Sequence, residues 1–382
     1  MPFNVSDAVF LVSRGTDPRR IMEKLEESGM DWESLSEFML SVASYCMSPG
    51  YGRRLDAAER VLRVMLEYSR EKGDRKTESD CLKEMGRLFL ERGRMSDAIE
   101  FYSEAARIGE ELRDARGQSL VHSEIGEILW LMGDLEGALR HTRRSYEILL
   151  DVEREAVLED LVRMGTILFE LRRYEEAYRR YQEALRIAEK LEDFEIQCVC
   201  LWESGSALKR MGRLEEALES LLGAAAVKRG VSDTLGEALC RVEAGNVLLL
   251  LGRTEEALEQ FNTALRLSKK GGEQFGIAVA LFHIGVSKII LGNDKGVVEA
   301  FERSMRIFRK RLSYNWLAVA LNTYLYYLFS VGERARAEEI SKEASGIVVD
   351  DRLDEMVERS RVIHEKIEEL RRILKAGRVG EF

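Results

Sequence analysis

Residues 74–112 read DRKTESDCLKEMGRLFLERGRMSDAIEFYSEAARIGEEL, and this stretch decides the fold. Asp74 is a candidate N-cap, because its carboxylate can accept a hydrogen bond from a free N–H of a helix's first turn. Leu82, Met85, Gly86 and Phe89 follow at three- and four-residue spacing, which is one face of a helix. Gly93-Arg94 breaks that helix. A second one then carries Ala98, Ile99, Tyr102 and Ala105 on one face. The unit is a helix hairpin, with glycine and alanine small where the two helices approach. A helical glycine costs about 1 kcal/mol relative to alanine, so its recurrence at a fixed phase implies a packing gain.

The recurrence is regular. Gly86, Gly126, Gly165, Gly205, Gly245 and Gly285 are spaced by 40, 39, 40, 40 and 40 residues, with Cys46 one period earlier and Leu325 one period later. Seven residues after these markers stand Gly93, Gly133, Arg172, Gly212, Gly252, Gly292 and Gly332. Twelve after them stand Ala58, Ala98, Ala138, Ala177, Ala217, Ala257, Val297 and Ala337. The equivalents of Asp74 are Asp114, Glu153, Asp193, Asp233, Glu273 and Ser313, and acidic pairs such as Glu175-Glu176 open second helices, facing the positive end of the dipole. The prolines are Pro2, Pro18 and Pro49, none inside a predicted repeat helix. A period of this size predicts a solenoid.

The expected fold is all-α, a right-handed α-solenoid of eight antiparallel hairpins over residues 32–350: 32–73, 74–113, 114–152, 153–192, 193–232, 233–272, 273–312 and 313–350. Residues 1–31 are expected to form an N-terminal helical cap, with Asp17-Pro18 starting a helix that stops before Gly29. The helix–glycine–helix stretch from Ile21 to Phe38 is not basic and fits a DNA-binding helix-turn-helix poorly. Residues 351–382 are expected to form a capping helix and tail. Leu353, Met356, Val357, Ile363, Ile367, Leu370 and Leu374 make its apolar stripe.

This pattern resembles the tetratricopeptide repeat, in its long, 40-residue subclass: large apolar, glycine, aromatic or leucine, turn, alanine, aromatic, alanine. Spindle-orientation adaptors, kinesin light chains and bacterial regulators carry similar arrays. The resemblance implies a non-catalytic scaffold or adaptor whose groove, lined by the first helix of each repeat, holds a peptide or amphipathic helix of a partner. The alternative it implies is a peptide-sensing regulator that changes superhelix shape on binding. In this sequence the first-helix positions give a gradient. Lys83, Glu84, Arg87, Ser123, Glu124 and Glu127 are charged, and Arg163, Thr166, Trp202, Glu203 and Ser206 are mixed. Val242, Asn246, Leu249, Phe282, Val286, Ile289, Tyr326 and Phe329 are mostly apolar. The groove reading makes the apolar set anchors and lets Glu124 and Glu127 steer basic residues. The competing reading assigns some of these side chains to the core between repeats. Chaperone-tail binding is disfavoured, because Glu124 would repel a carboxylate ligand.

The other function classes find little support. A net charge of −10 disfavours nucleic-acid partners. No apolar run reaches the roughly 18–20 residues of a membrane span, and the first 30 residues lack a signal-peptide pattern. A soluble, cytoplasmic protein is expected. Phosphate-loop, H-E-x-x-H and G-x-S-x-G motifs are lacking, so no catalytic residues or cofactors are assigned. Cys81, Cys200 and Cys240 sit five residues before a marker glycine, as buried small residues, and no metal site is expected from His122, His141, His283 and His364. Scarce Asn and Gln lean towards a thermophilic source. Homo-oligomerisation stays open.

Overall fold

A computed structural model describes residues 4–49, 54–150, 152, 153 and 155–345, and among them there are helices and turns but no strand. The chain divides into two compact units, Met1–Arg173 and Tyr174–Phe382, at the turn between the two helices of the fourth repeat. The expected C-terminal helix lies outside the described residues.

The first unit carries α1 (Val5–Ser13), α2 (Pro18–Glu27), α3 (Trp32–Met47), α4 (Leu55–Lys72), α5 (Arg75–Glu91), α6 (Met95–Leu112), α7 (Ala115–Leu131), α8 (Leu135–Leu150) and α9 (Leu158–Glu170). From α3 onwards each helix packs on the next, so hairpins stack on hairpins. One core, from Ala8 and Met22 to Ile125 and Ile128, runs through α1 to α7. The second unit carries α10 (Tyr174–Lys190), α11 (Phe194–Arg210), α12 (Leu214–Gly230), α13 (Thr234–Leu250), α14 (Thr254–Lys270), α15 (Gln274–Ile290), α16 (Val297–Lys310), α17 (Tyr314–Val331) and α18 (Arg334–Ser345). It repeats the same stacking. First helices of successive repeats also touch one another: α3 with α5, α13 with α15, and α15 with α17.

Local chemistry sets the helix starts. Asp74, Asp114, Asp193 and Asp233 each accept a hydrogen bond from the backbone three residues on, at 3.1, 2.9, 3.0 and 2.8 Å. Asp17 caps α2 ahead of Pro18. Glu273, the longer side chain, still reaches the N–H groups of Phe275 and Gly276. Two expected caps fail. Ser313 precedes α17 without a side-chain cap bond. Glu153 caps nothing, because α9 starts only at Leu158 and has 13 residues where α5, α7 and α11 have 17. The turns are left-handed at matching positions. Arg172, standing where other repeats have glycine, adopts φ 60°, and Arg113, Glu192, Ser232 and Leu312 adopt φ 54–59° just before the helix caps. That conformation costs a non-glycine residue about 1–2 kcal/mol, so hairpin packing must hold it.

The marker glycine makes room for one particular side chain. A Cβ at Gly86 would lie 2.7 Å from the Tyr102 ring, at Gly205 2.8 Å from Leu221, at Gly245 2.5 Å from Phe261, and at Gly285 2.7 Å from Phe301. At Gly126 it would lie 2.7 Å from Thr142 Oγ1. Each partner stands sixteen residues after its glycine. In the eighth repeat the sizes exchange, with Leu325 at the marker and Ser341 sixteen residues later.

Candidate functional site on the first-helix face

In the first unit the sequence-predicted residues form a charged surface on α5, α7 and α9. Lys83 pairs with Asp80 at 2.6 Å, and Arg87 lies 2.6 Å from Glu84 and 3.1 Å from Ser44 Oγ. Burial pushes the Glu84 carboxyl up, and its Oε2 is buried without a hydrogen bond, since Arg87 is near it but off-axis. Glu124 is partly buried and makes neither hydrogen bond nor ion pair among the described residues. Burial and the Glu127 charge push its pKa up, against the pull of Arg163 and Arg87. Burial, with the charges of Glu124 and Glu84, likewise raises the Tyr102 phenol. Glu127 pairs with Arg163 at 3.3 Å, and Arg163 also donates to Ser123.

Beneath Arg163 lies a polar network that the motif reading missed. Asp160 is only 3% exposed. It accepts from Ser145 Oγ at 2.6 Å and Ser123 Oγ at 3.3 Å, and Ser145 bonds Ser119 at 2.8 Å. Burial nevertheless raises its pKa. The signal was in the repeat column five before the marker, which reads Cys81, Val121, Asp160, Cys200, Cys240, Ala280, Ala320. A carboxylate among small apolar residues needs hydrogen-bond partners. Two histidines that look scattered in sequence also meet: the Nδ1 atoms of His122 and His141 lie 3.1 Å apart, one donating to the other. Burial lowers both, His122 to about 4, so the pair is neutral at neutral pH. The same register pairs Arg241 with Gln260 at 2.8 Å, so hairpin geometry predicts the His122–His141 contact. No cluster of three or more metal-ligating side chains occurs among the described residues.

In the second unit the predicted apolar set separates. Val242, Phe282, Val286 and Ile289 are core residues, exposed by 7, 1, 4 and 0%. Their assignment as surface anchors is therefore corrected. Phe282, Val286 and Ile289 lie on α15, which buries most of its length among its neighbours, and Val242 of α13 joins the same core. Phe282 packs edge-on against Phe301 and Trp316, with ring centroids 5.8 and 6.0 Å away. His283 stacks on Phe261, its Nε2 has no hydrogen bond, and burial lowers its pKa to about 4. Trp202, Leu249 and Tyr326 are partly buried against the core, while Phe329 is 58% exposed.

The accessible remainder on α11 and α13 is polar and aromatic. Lys209 pairs with Glu243 at 3.1 Å, and Asn246 Nδ2 donates to Glu243 Oε1 at 3.4 Å. Ser206 donates to the Trp202 carbonyl at 3.1 Å. Glu203, beside Trp202, is partly buried and makes no hydrogen bond or ion pair among the described residues, and burial alone raises its pKa. It occupies the same repeat position as Glu124. No helix among the described residues is long and apolar enough to cross a membrane.

The tetratricopeptide repeat family matches residues 117–190 and 197–270. No curated protein sequence matches the chain. Among solved structures, the apo form of RapI aligns with TM-score 0.63 at 12% identity, over 90% of this chain and 98% of that one. Aspartyl phosphate phosphatase F from Bacillus subtilis aligns with TM-score 0.53 at 16% identity, covering 90% and 92%. The apo quorum sensor NprR from B. thuringiensis aligns with TM-score 0.53 at 15% identity, covering 90% and 97%. These likenesses concern the fold. The family match over residues 117–190 and 197–270, the 40-residue period and the stacked hairpins of both units show a chain built of tetratricopeptide repeats.

Proposed function

We propose that this chain is a non-catalytic, cytoplasmic scaffold or adaptor that holds a peptide or amphipathic helix of a partner protein against its first-helix face. The partner carries basic residues interleaved with apolar ones. The observation that carries this reading is the state of Glu124 and Glu203, two carboxylates at one repeat position, each partly desolvated and unpaired. Desolvating a charge without a partner costs stability, and the same position holds His283 or Thr323 elsewhere. A lysine or arginine from outside supplies the missing charge-assisted hydrogen bonds. Trp202, Leu249 and Phe329 offer the apolar area. A peptide-sensing regulator is the alternative, supported by the fold shared with the quorum sensor NprR. A peptide-dependent change in radius of gyration would favour it over a rigid scaffold.

A selection from a displayed random-peptide library tests the reading. Enriched peptides are expected to carry Lys or Arg beside large apolar residues, and to lose at least about tenfold in affinity, some 1.4 kcal/mol, for Glu203→Lys or Glu124→Lys. Enrichment of acidic peptides, or of peptides indifferent to both substitutions, would remove this face from the function.

A further inference from the structure

None of the five cysteines is in a disulfide, and all are buried. Two of them meet. Cys198 of α11 and Cys240 of α13 pack in one small buried cluster with Ala224 and Ala225 of α12, and Cys198 Sγ donates to the Ala224 carbonyl at 4.0 Å. Trp202, one turn after Cys198 and on the proposed binding face, lies against this cluster. The two cysteines therefore stand on neighbouring first helices, in one cluster behind a groove residue.

The environments of these thiols differ from those of the others. The neighbouring Cys240 thiol and the Lys228 ammonium lower Cys198 against its burial, whereas burial pushes Cys81 and Cys200 up to about 12. Cys240 is raised in turn by the neighbouring Cys198 and by burial. The thiolate is the reactive form of cysteine, and Cys198, the more readily ionised of the two, shares its cluster with a second thiol. With exposures of 5 and 2%, the pair admits a small oxidant in preference to a bulky one.

We propose that Cys198 and Cys240 form an oxidation site, at which a hydroperoxide closes a disulfide that ties α11 to α13 behind Trp202. The Cys198 thiolate attacks one peroxide oxygen; the O–O bond breaks, and the leaving hydroxide takes up a proton as water. The product is a sulfenic acid. Cys240 sulfur then attacks Cys198 sulfur, the S–O bond breaks, and the hydroxyl leaves with the Cys240 proton as a second water. Two thiols and one hydrogen peroxide give one disulfide and two waters, the sulfurs losing the two electrons that the peroxide gains. A resolving thiol in contact diverts the sulfenic acid from further oxidation. The effect of this crosslink on partner binding rests on the first-helix-face reading; the crosslink itself does not.

The test treats the full chain with hydrogen peroxide and reads intact mass, thiols titrated after denaturation, and crosslinked peptides. The wild type is expected to lose about 2 Da and two titratable thiols, with Cys198 reacting at least about tenfold faster than Cys81. A Cys200→Ser variant should keep the crosslink and make its assignment unique. Cys240→Ser should instead accumulate sulfenic acid on Cys198, trapped by dimedone, and Cys198→Ser should show neither product. A crosslink that survives in Cys240→Ser, or a Cys198 no faster than Cys81, would overturn the proposal. Trp202 fluorescence, isolated by comparison with Trp202→Phe, should change on oxidation of the wild type only. A crosslink without that change leaves the oxidation site standing and overturns its coupling to the binding face.

Discussion

Replacing Phe282 with alanine is expected to destabilise the second unit by about 3–5 kcal/mol. The ring is 1% exposed and is held edge-on between Phe301 of α16 and Trp316 of α17, so its removal leaves a cavity where three helices meet. Phe282→Arg is expected to be worse, because it puts a charge into this apolar core. In a stacked array the loss falls on one repeat and its neighbours. Urea unfolding followed by circular dichroism, with limited proteolysis to locate the melted helices, measures it. A midpoint unchanged by Phe282→Ala would mean that the side chain faces solvent, and would restore it as a surface anchor.

Placing leucine at Gly245 is expected to cost about 3 kcal/mol, at the upper end of overpacking penalties. A Cβ alone would sit 2.5 Å from the Phe261 ring, which is itself fully buried. The helix-propensity gain over glycine, about 1 kcal/mol, is too small to offset the collision. The eighth repeat supplies the compensating change, since Leu325 there is matched with Ser341. The double variant Gly245→Leu/Phe261→Ser should therefore be more stable than the sum of its single changes implies, by about 1–3 kcal/mol of coupling. Simple additivity in the same unfolding measurement would show that the marker glycine has another cause.

The hairpins could be read from the sequence because their chemistry is local and repeated. Glycine at one phase, aspartate before each first helix and a left-handed turn residue each act within a few positions, and Asp74, Asp114, Asp193 and Asp233 cap as their types dictate. Glu153 failed because its helix starts late, a local irregularity that periodicity averages away. The candidate site was harder to read. Phe282 and Phe329 share an apolar character and a first-helix phase, yet one is core and the other 58% exposed. The difference lies in α16 and α17, which enclose α15. The charged positions lie on the first helices α5, α7, α9 and α11, but the lack of a partner for Glu203 depends on distances that no spacing rule contains. Asp160 and the His122–His141 contact were legible in principle, by comparing each residue with its column in the other repeats.

On the proposed reading, a cation from a partner completes the unpaired Glu203. Burial raises its folded pKa, so the proton is held more tightly in the folded chain. Its contribution is therefore fully present below the unfolded carboxylate value near 4.3 and is lost as pH rises through the folded value. Glu203→Gln should accordingly match the wild type at low pH and become more stable than it towards pH 7, by on the order of 0.5–1 kcal/mol. The decisive measurement determines stability at pH 7 and affinity for a selected basic peptide, side by side, for wild type and Glu203→Gln. Opposite signs are expected, with stability gained and affinity lost. An unchanged affinity, or a loss of both, would contradict the proposed reading.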